Sequence, residues 1–312
     1  MWDKRKSIFF AAVDDDPPEA LKPEEHYRSF RLNSTQAMGR RYGVRIHYYE
    51  PGMEEAKRDL SFELALELRP DEAHASSIMV HIHKRQLYIN RHMPDLVSEC
   101  LAAMVMESLY PIVVRVPSEA ELSPSISNRS EIQARWQQMK VRIRKKYEGF
   151  ISERYLQLVD QQLASESRLA AAMEKDLCWK AMFMPIYGLY PESLTRPTTL
   201  QFPVYPKRYC SFSGTAQVDR AETDFGCYGW HFNGINTKLG TLKAVVYIDV
   251  NSGLGRFYDI TFEGLAGDRL RFKAHQISAM SYEAVLPEST EKNSIWENIE
   301  NYRARKYPIS FK

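Results

Sequence analysis

Hydrophobic and polar positions alternate along three runs in the first third of the chain. Val44, Ile46 and Tyr48 would face one side of a strand, with Arg45, His47 and Tyr49 on the other. Leu60, Phe62, Leu64, Leu66 and Leu68 alternate in the same way with Ser61, Glu63, Ala65, Glu67 and Arg69. A third run, Met79 to Ile89, sets Val80 and Ile82 against His81 and His83, breaks at Lys84-Arg85-Gln86, and resumes with Leu87 and Ile89. Period-two patterning of this kind predicts an antiparallel sheet with one dry face. A cover follows: Pro94 suits a first helical turn, and Leu96, Val97, Cys100, Leu101, Met104, Val105 and Leu109 make a broad apolar stripe. With a further strand over Tyr110 to Val116, residues 1–120 are expected to form an α+β two-layer domain. Ahead of the sheet the pattern predicts a strand at Ile8 to Val13, a polar link from Asp14 to Glu25, and a short helix over Ser34 to Arg41.

From Asn128 to Met184 there is no proline, and Gly149 is the sole glycine. Asn128 followed by Glu131 fits a capping box, which sets a helix start. Ile132, Trp136, Met139, Ile143, Tyr147, Phe150, Tyr155, Leu158 and Leu163 then continue a stripe at spacings of mostly three and four. The expectation for residues 121–188 is a long central helix or a helical hairpin, acting as an arm. Gly149 would permit a bend, and a hairpin turn would fall near Ala164 to Arg168.

Nine of the fourteen glycines fall between Gly214 and Gly267, so the architecture changes again. Residues 189–206, with Pro191, Pro197, Pro203 and Pro206, read as an extended linker. Short strands are expected over Tyr209 to Val218, Cys227 to Asn233, Thr241 to Val250, Gly255 to Glu263, Arg269 to Gln276 and Ile277 to Val285. Asn251-Ser252-Gly253 and Ala266-Gly267-Asp268 are turn signals between them. Val246, Ile248 and Val250 would form an inner face. After Pro287 an amphipathic helix carries Ile295, Trp296, Ile299 and Tyr302, ahead of a tail strand near Ile309. Residues 207–312 are therefore expected to form an antiparallel β-barrel or curled sheet with a terminal helix. The succession of barrel, helix and closing strand resembles a lipocalin-like architecture in topology alone, since no lipocalin sequence motif is present.

Composition narrows the functional classes. Forty-two basic against forty acidic side chains give a net charge of +2, too little for nucleic acid to be the default partner. The four cysteines, Cys100, Cys178, Cys210 and Cys227, form no CxxC pair, which suggests reduced thiols and a cytoplasmic location, although Cys210 and Cys227 are the pair to join if the protein is exported. Lys4, Arg5 and Lys6 precede an apolar run that is too short for a secretion signal and ends at Asp14, Asp15 and Asp16. No apolar stretch reaches the roughly 18 to 20 residues of a membrane span.

Candidate chemistry is sparse. Gly-x-Ser-x-Gly is absent, and Gly253-Leu254-Gly255 lacks the third glycine and the following helix of a phosphate loop. His47, His81, His83, Glu63 and Glu67 share the polar face of the first sheet, where they would form a metal site if they converge. Simple alternation on a wet face yields the same pattern. Arg135, Lys140, Arg142, Arg144, Lys145 and Lys146 form the densest basic cluster, suited to an acidic partner, an anionic lipid surface or phosphate, or else to solvent. Trp230, Phe232, Tyr247 and Tyr258 would line an apolar cavity in the C-terminal barrel, or simply fill it. The first expectation is a non-catalytic interaction or assembly protein that meets a protein partner, or itself, through the helical arm. The second is a binder of a small apolar ligand, and the third a metal-dependent enzyme using the histidines. No cofactor is implied beyond the divalent metal of that third reading.

Overall fold

The alternating runs become long strands. The computed structural model describes residues 28–30, 37–74, 76–117, 124–205 and 208–280. Its first half contains β1 (Arg28–Phe30), β2 (Met38–Tyr49), β3 (Arg58–Pro70), β4 (Ser77–Ile89), α1 (Val97–Leu109), β5 (Ile112–Pro117) and β6 (Ser125–Ile126). Helices α2 (Arg129–Lys146), α3 (Phe150–Leu163), α4 (Glu166–Met173) and α5 (Leu177–Met182) follow. The remainder is β7 (Gly188–Tyr190), β8 (Thr195–Tyr205), β9 (Arg208–Val218), β10 (Cys227–Asn236), β11 (Gly240–Asp249), β12 (Gly255–Gly264) and β13 (Arg269–Met280). The strand expected at Ile8 to Val13, the link from Asp14 to Glu25, the helix after Pro287 and the strand near Ile309 lie outside the described residues. Met38 to Arg41, expected as the end of a helix, belong to β2, and the two strands expected over Arg269 to Val285 are one strand as far as Met280, with a bulge near Gln276.

Eleven strands form one antiparallel sheet in the order β6-β5-β4-β3-β2-β13-β12-β11-β10-β9-β8. The chain enters at the middle with β2 and steps outward to the edge at β6. After the helices it restarts at the opposite edge with β8 and returns, strand by strand, until β13 pairs with β2. The strands expected in two bodies thus meet along the β2–β13 seam, with Phe272 opposite Ile46 and Ala274 opposite Val44. The stretch expected as an extended linker contains β8, paired with β9 from Thr195↔Gln217 to Tyr205↔Arg208. The sheet is open rather than closed into a barrel, but it curls. Phe212 on β9 and Phe262 on β12 are three strands apart, roughly 14 Å on a flat sheet, yet their ring centroids approach to 5.8 Å.

One face of this sheet is dry throughout. Tyr42, Val44, Ile46, Phe62, Leu64, Leu66, Val80, Ile82, Val114, Phe232, Val246, Ile260 and Phe272 are all buried and belong to one core. Close approach of strands is bought by small residues at a few places: a Cβ on Gly214 would run into the carbonyl oxygen of Asn233 on the neighbouring strand.

Of the two forms expected for residues 121–188, the long central helix is not found, and four helices that share the core of the dry face stand in its place. α2 is followed by extended Tyr147 and by Gly149 at φ +118°, which turns the chain back. α3 then runs antiparallel to α2, with Trp136 Nε1 donating to Asp160 Oδ1 at 2.7 Å and Arg144 Nε donating to Glu153 Oε1 at 2.9 Å. The hairpin turn therefore lies near Gly149 rather than near Ala164. Two further starts are capped: Ser165 Oγ accepts from the amide of Arg168 at 3.3 Å, and Asp176 Oδ1 accepts from the amide of Trp179 at 2.9 Å. Asn128 does occupy the N-cap of α2 and its Nδ2 reaches Glu131 Oε2 at 3.4 Å, but its side chain caps no helix amide and is turned toward β5 and the residue before it. Its Oδ1 accepts from the amide of Val113 at 2.9 Å and its Nδ2 donates to the carbonyl of Pro111 at 3.0 Å. Ile132, Trp136, Met139 and Ile143 are buried as the stripe requires, whereas Phe150 is 84% exposed because α3 turns Ser152, Leu156 and Leu163 inward instead.

Candidate functional site

The helices do not fill the concave side completely. A cleft of about 760 Å³ opens between the sheet and the helical layer, within the range usual for small-molecule sites. Its floor is the dry face of β2, β3 and β4, at Ile46, Tyr48, Leu60, Phe62 and Leu87. One wall is α1 and its exit, at Ala102, Val105, Met106, Leu109 and Tyr110. The other wall is α3 and α4, at Leu158, Val159, Leu163, Leu169, Ala172 and Met173, and the cleft ends at Asp176, Leu177 and Cys178. Nearly all of this lining is the leftover apolar surface of amphipathic elements that meet at an angle.

The polar members of the lining are Lys84, Gln162, Lys175 and Asp176, and of these Lys84 stands on the sheet. It stands where the alternation of β4 calls for an apolar residue, two positions after Ile82, just before Gln86 takes a left-handed conformation at φ +54°. Its ammonium lies 4.1 Å from the centroid of Phe62, 6.0 Å from that of Tyr110, and 3.8 Å from Asp176 Oδ2, with 13% of the side chain exposed. The break at Lys84-Arg85-Gln86 was visible in the sequence, but nothing there indicated that the lysine would point into an apolar recess. Asp176 is already engaged as the cap of α5 through its other oxygen, and 3.8 Å is longer than a hydrogen bond. The ammonium, held over two aromatic faces, can accordingly donate to an acceptor brought in by a ligand. Cys178 is not a nucleophile in this setting: burial pushes its thiol up to about 12. Burial likewise raises the Tyr110 hydroxyl well above its ordinary value, keeping it neutral.

The proposed metal set divides. His47 pairs across strands with Asp59, while His81 pairs with Glu67 eight positions further along β3, so the two are separated by roughly 27 Å at the ordinary strand rise. His47 Nε2 is 3.5 Å from Asp59 Oδ1, in a cluster with Arg45 and Arg91. Glu63 holds Arg41, with Arg41 Nε donating to Oε1 at 2.8 Å, and Glu67 is bound to Arg69. His81 lies in a small hollow with Arg69 and Glu72. Among the described residues no group of three or more His, Cys, Asp or Glu side chains is placed to hold a metal ion. All three histidines are pushed toward the neutral form, chiefly by burial, and His83 falls to about 4, with Arg85, His81, Arg135 and Arg69 adding to the effect.

Half of the basic cluster ties helices together. Arg135 donates from Nε to the carbonyl of Ser108 and from Nη2 to those of Leu109 and Pro111, at 3.1, 3.1 and 2.8 Å. Lys140 bonds Asp160 at 3.0 Å, and Arg144 bonds Glu153. Arg142, Lys145 and Lys146 are exposed. Of the aromatic set, Trp230, Phe232 and Tyr258 are buried in the core and Tyr247 lies on the opposite face, against Phe225 and Phe257. None of the four lines the cleft beneath the N-terminal strands. Trp230 Nε1 instead donates to the hydroxyl of Tyr190 at 2.7 Å, fixing β10 to the segment after α5. All four cysteines are buried and none is in a disulfide.

No family model matches the chain, and no curated protein matches it. Among solved structures it is similar to one described as lipid-protein interactions in lipovitellin, with 9% identity and a TM-score of 0.45 over 84% of this chain. The chain spans about 27% of that longer one. A dehydratase domain from the CurK module of curacin polyketide synthase is 9% identical, with a TM-score of 0.12 over 82% of this chain and 79% of that one. Likenesses this distant carry no functional argument. No helix among the described residues is long and apolar enough to cross a membrane.

Proposed function

We propose that this protein binds a small, elongated, mostly apolar molecule with one polar or anionic end in the cleft between β2–β4 and the helices. The observation that carries the reading is the pairing of about 760 Å³ of apolar-walled space with the ammonium of Lys84 inside it. An apolar body would replace water along Phe62, Val105, Leu109, Val159 and Met173, and an acceptor oxygen would take the donor that Asp176 leaves unsatisfied. The location differs from the one the aromatic pattern suggested. The recess lies under the N-terminal strands, where α1 and α3 splay, and not among Trp230, Phe232 and Tyr258.

Protein docking through a projecting arm loses its support in the same geometry, because the arm is folded into the core and Arg135, Lys140 and Arg144 are engaged within the molecule. The test is titration with a naturally fluorescent polyene fatty acid, run beside the variant Ala172→Trp, which fills the cleft. The expected result is saturable uptake by the wild type and at least a tenfold loss in the variant, with an unchanged circular dichroism spectrum. Absence of uptake by the wild type, or uptake that Ala172→Trp leaves untouched, overturns the reading.

A further inference from the structure

The corner where α2 gives way to α3 carries the two most exposed large apolar side chains among the described residues. Gly149 turns the chain, and the next two residues, Phe150 and Ile151, are 84% and 80% exposed. Val141, on the outward face of α2, is 68% exposed, and Leu158, two turns beyond Ile151 on the same side of α3, is 43% exposed. Large apolar side chains projecting this far from a convex corner lose little water by folding, so their position is not explained by the core.

Charge surrounds them. Between positions 140 and 154 there are six basic residues, Lys140, Arg142, Arg144, Lys145, Lys146 and Arg154, against two acidic ones, Glu148 and Glu153. The stretch therefore carries +4 in a chain whose total is +2. Glu153 is held by Arg144 and Lys140 by Asp160, while Arg142, Lys145, Lys146 and Arg154 are exposed around the apolar tip, Lys146 with its ammonium 5.9 Å from the ring of Tyr147.

We infer that this corner docks on an anionic bilayer surface, with Phe150 and Ile151 entering the region between headgroups and chains and the surrounding cations resting on the phosphates. Charge complementarity selects the lipid surface, because a collar of net +3, four exposed cations against Glu148, is attracted to anionic headgroups across a Debye length before any contact forms. Shape selects a fluid partner, since a two-residue apolar tip on a convex turn finds a hydrocarbon boundary more readily than a matching protein pocket. The docked orientation would turn Leu158, which lies both on the exposed strip of α3 and on the rim of the cleft, toward the membrane. The inference stands on the corner and does not require the cleft to be loaded.

Vesicle flotation tests it, with vesicles of phosphatidylcholine alone and of equal parts phosphatidylcholine and phosphatidylserine. The wild type is expected to float with the mixed vesicles and not with phosphatidylcholine alone, and to be released by salt. The double variant Phe150→Ser with Ile151→Ser should bind at least tenfold more weakly, and so should Lys145→Glu with Lys146→Glu, with melting temperatures unchanged because all four side chains are exposed. Binding that ignores the phosphatidylserine content overturns the inference, as does binding that survives both double variants. A concentration-dependent dimer in sedimentation, lost on Phe150→Ser with Ile151→Ser, would also overturn it by assigning the tip to a second copy of the chain. Uptake of the fluorescent fatty acid, and its loss in Ala172→Trp, is read without vesicles, so failure of the corner and failure of the cleft are separable.

Discussion

Lys84 Nζ lies 3.8 Å from Asp176 Oδ2, an ion pair that joins β4 to the cap of α5 across an apolar recess. Asp176 is 31% exposed at its side chain while Lys84 is 13% exposed, so the two charges are not equally desolvated. A partly exposed pair of this separation contributes little to stability, about 1 kcal/mol or less. In the proposed ligand-binding reading its role is ligand choice. Lys84→Met keeps the stem against Phe62 and removes the charge, and it should lower affinity for the polyene fatty acid about tenfold, equivalent to roughly 1.4 kcal/mol. Affinity for the methyl ester of the same acid should change far less. Equal losses for both probes would remove Lys84 from the binding of the polar end.

The α2–α3 hairpin offers a stability test. Trp136 is 1% exposed, and its indole nitrogen donates to Asp160 at 2.7 Å. Trp136→Phe retains most of the packing and forfeits that bond, for an expected loss of about 1 kcal/mol. Trp136→Ala opens a cavity and should cost about 3 to 5 kcal/mol. Urea denaturation followed by circular dichroism measures both.

Acid should destabilise the protein in two stages. His83 is neutral in the folded state down to about 4, against an ordinary value of 6.5, because burial and the neighbouring cations disfavour its charged form. The unfolded chain therefore takes up that proton first, and the stability His83 contributes above pH 6.5 is lost as pH falls toward about 4. His47 and His81 are shifted in the same direction and act with it. Asp71, held down to about 2 by Ser77 Oγ and Arg115, loses its contribution only below its ordinary 3.8. His83→Gln should flatten the slope of unfolding free energy between pH 6.5 and 4 and leave the lower stage in place.

Strand packing in the C-terminal half depends on one close approach. Gly214 on β9 sits beside Gly234 on β10, with the carbonyl of Asn233 in the space a methyl would need. Gly214→Ala should cost about 1 to 3 kcal/mol as the two strands are forced apart. A lowered melting temperature without loss of the folded spectrum is the expected observation.

Much of the secondary structure was legible in local pattern. Period-two alternation identified β2, β3 and β4, and turn signals at Asn251-Ser252-Gly253 and Ala266-Gly267-Asp268 bounded β11 to β13. The breaks in the helical segment were also written in the sequence, as Gly149, Ser165 and Asp176. An unbroken stripe of apolar positions outweighed them, because a hairpin and a single helix present the same spacing to a local reading. The basic cluster was found by composition, but the role of Arg135 as a donor to three carbonyls at the exit of α1 depends on neighbours more than twenty positions away.

The sequence by itself determined which side chains of β2, β3 and the first half of β4 face the core, since alternation is set by the backbone one residue at a time. Tertiary structure alone decided that the strands on either side of the helices share one sheet. That seam joins Val44 to Ala274, and across the same core the Tyr42 hydroxyl donates to the carbonyl of Gly255 at 2.8 Å. Tertiary structure also decided where space was left. The cleft exists because α1 on one side and the packed pair α3 and α4 on the other leave a space over the sheet, and such a gap depends on the relative placement of whole elements, which no single stretch of chain encodes.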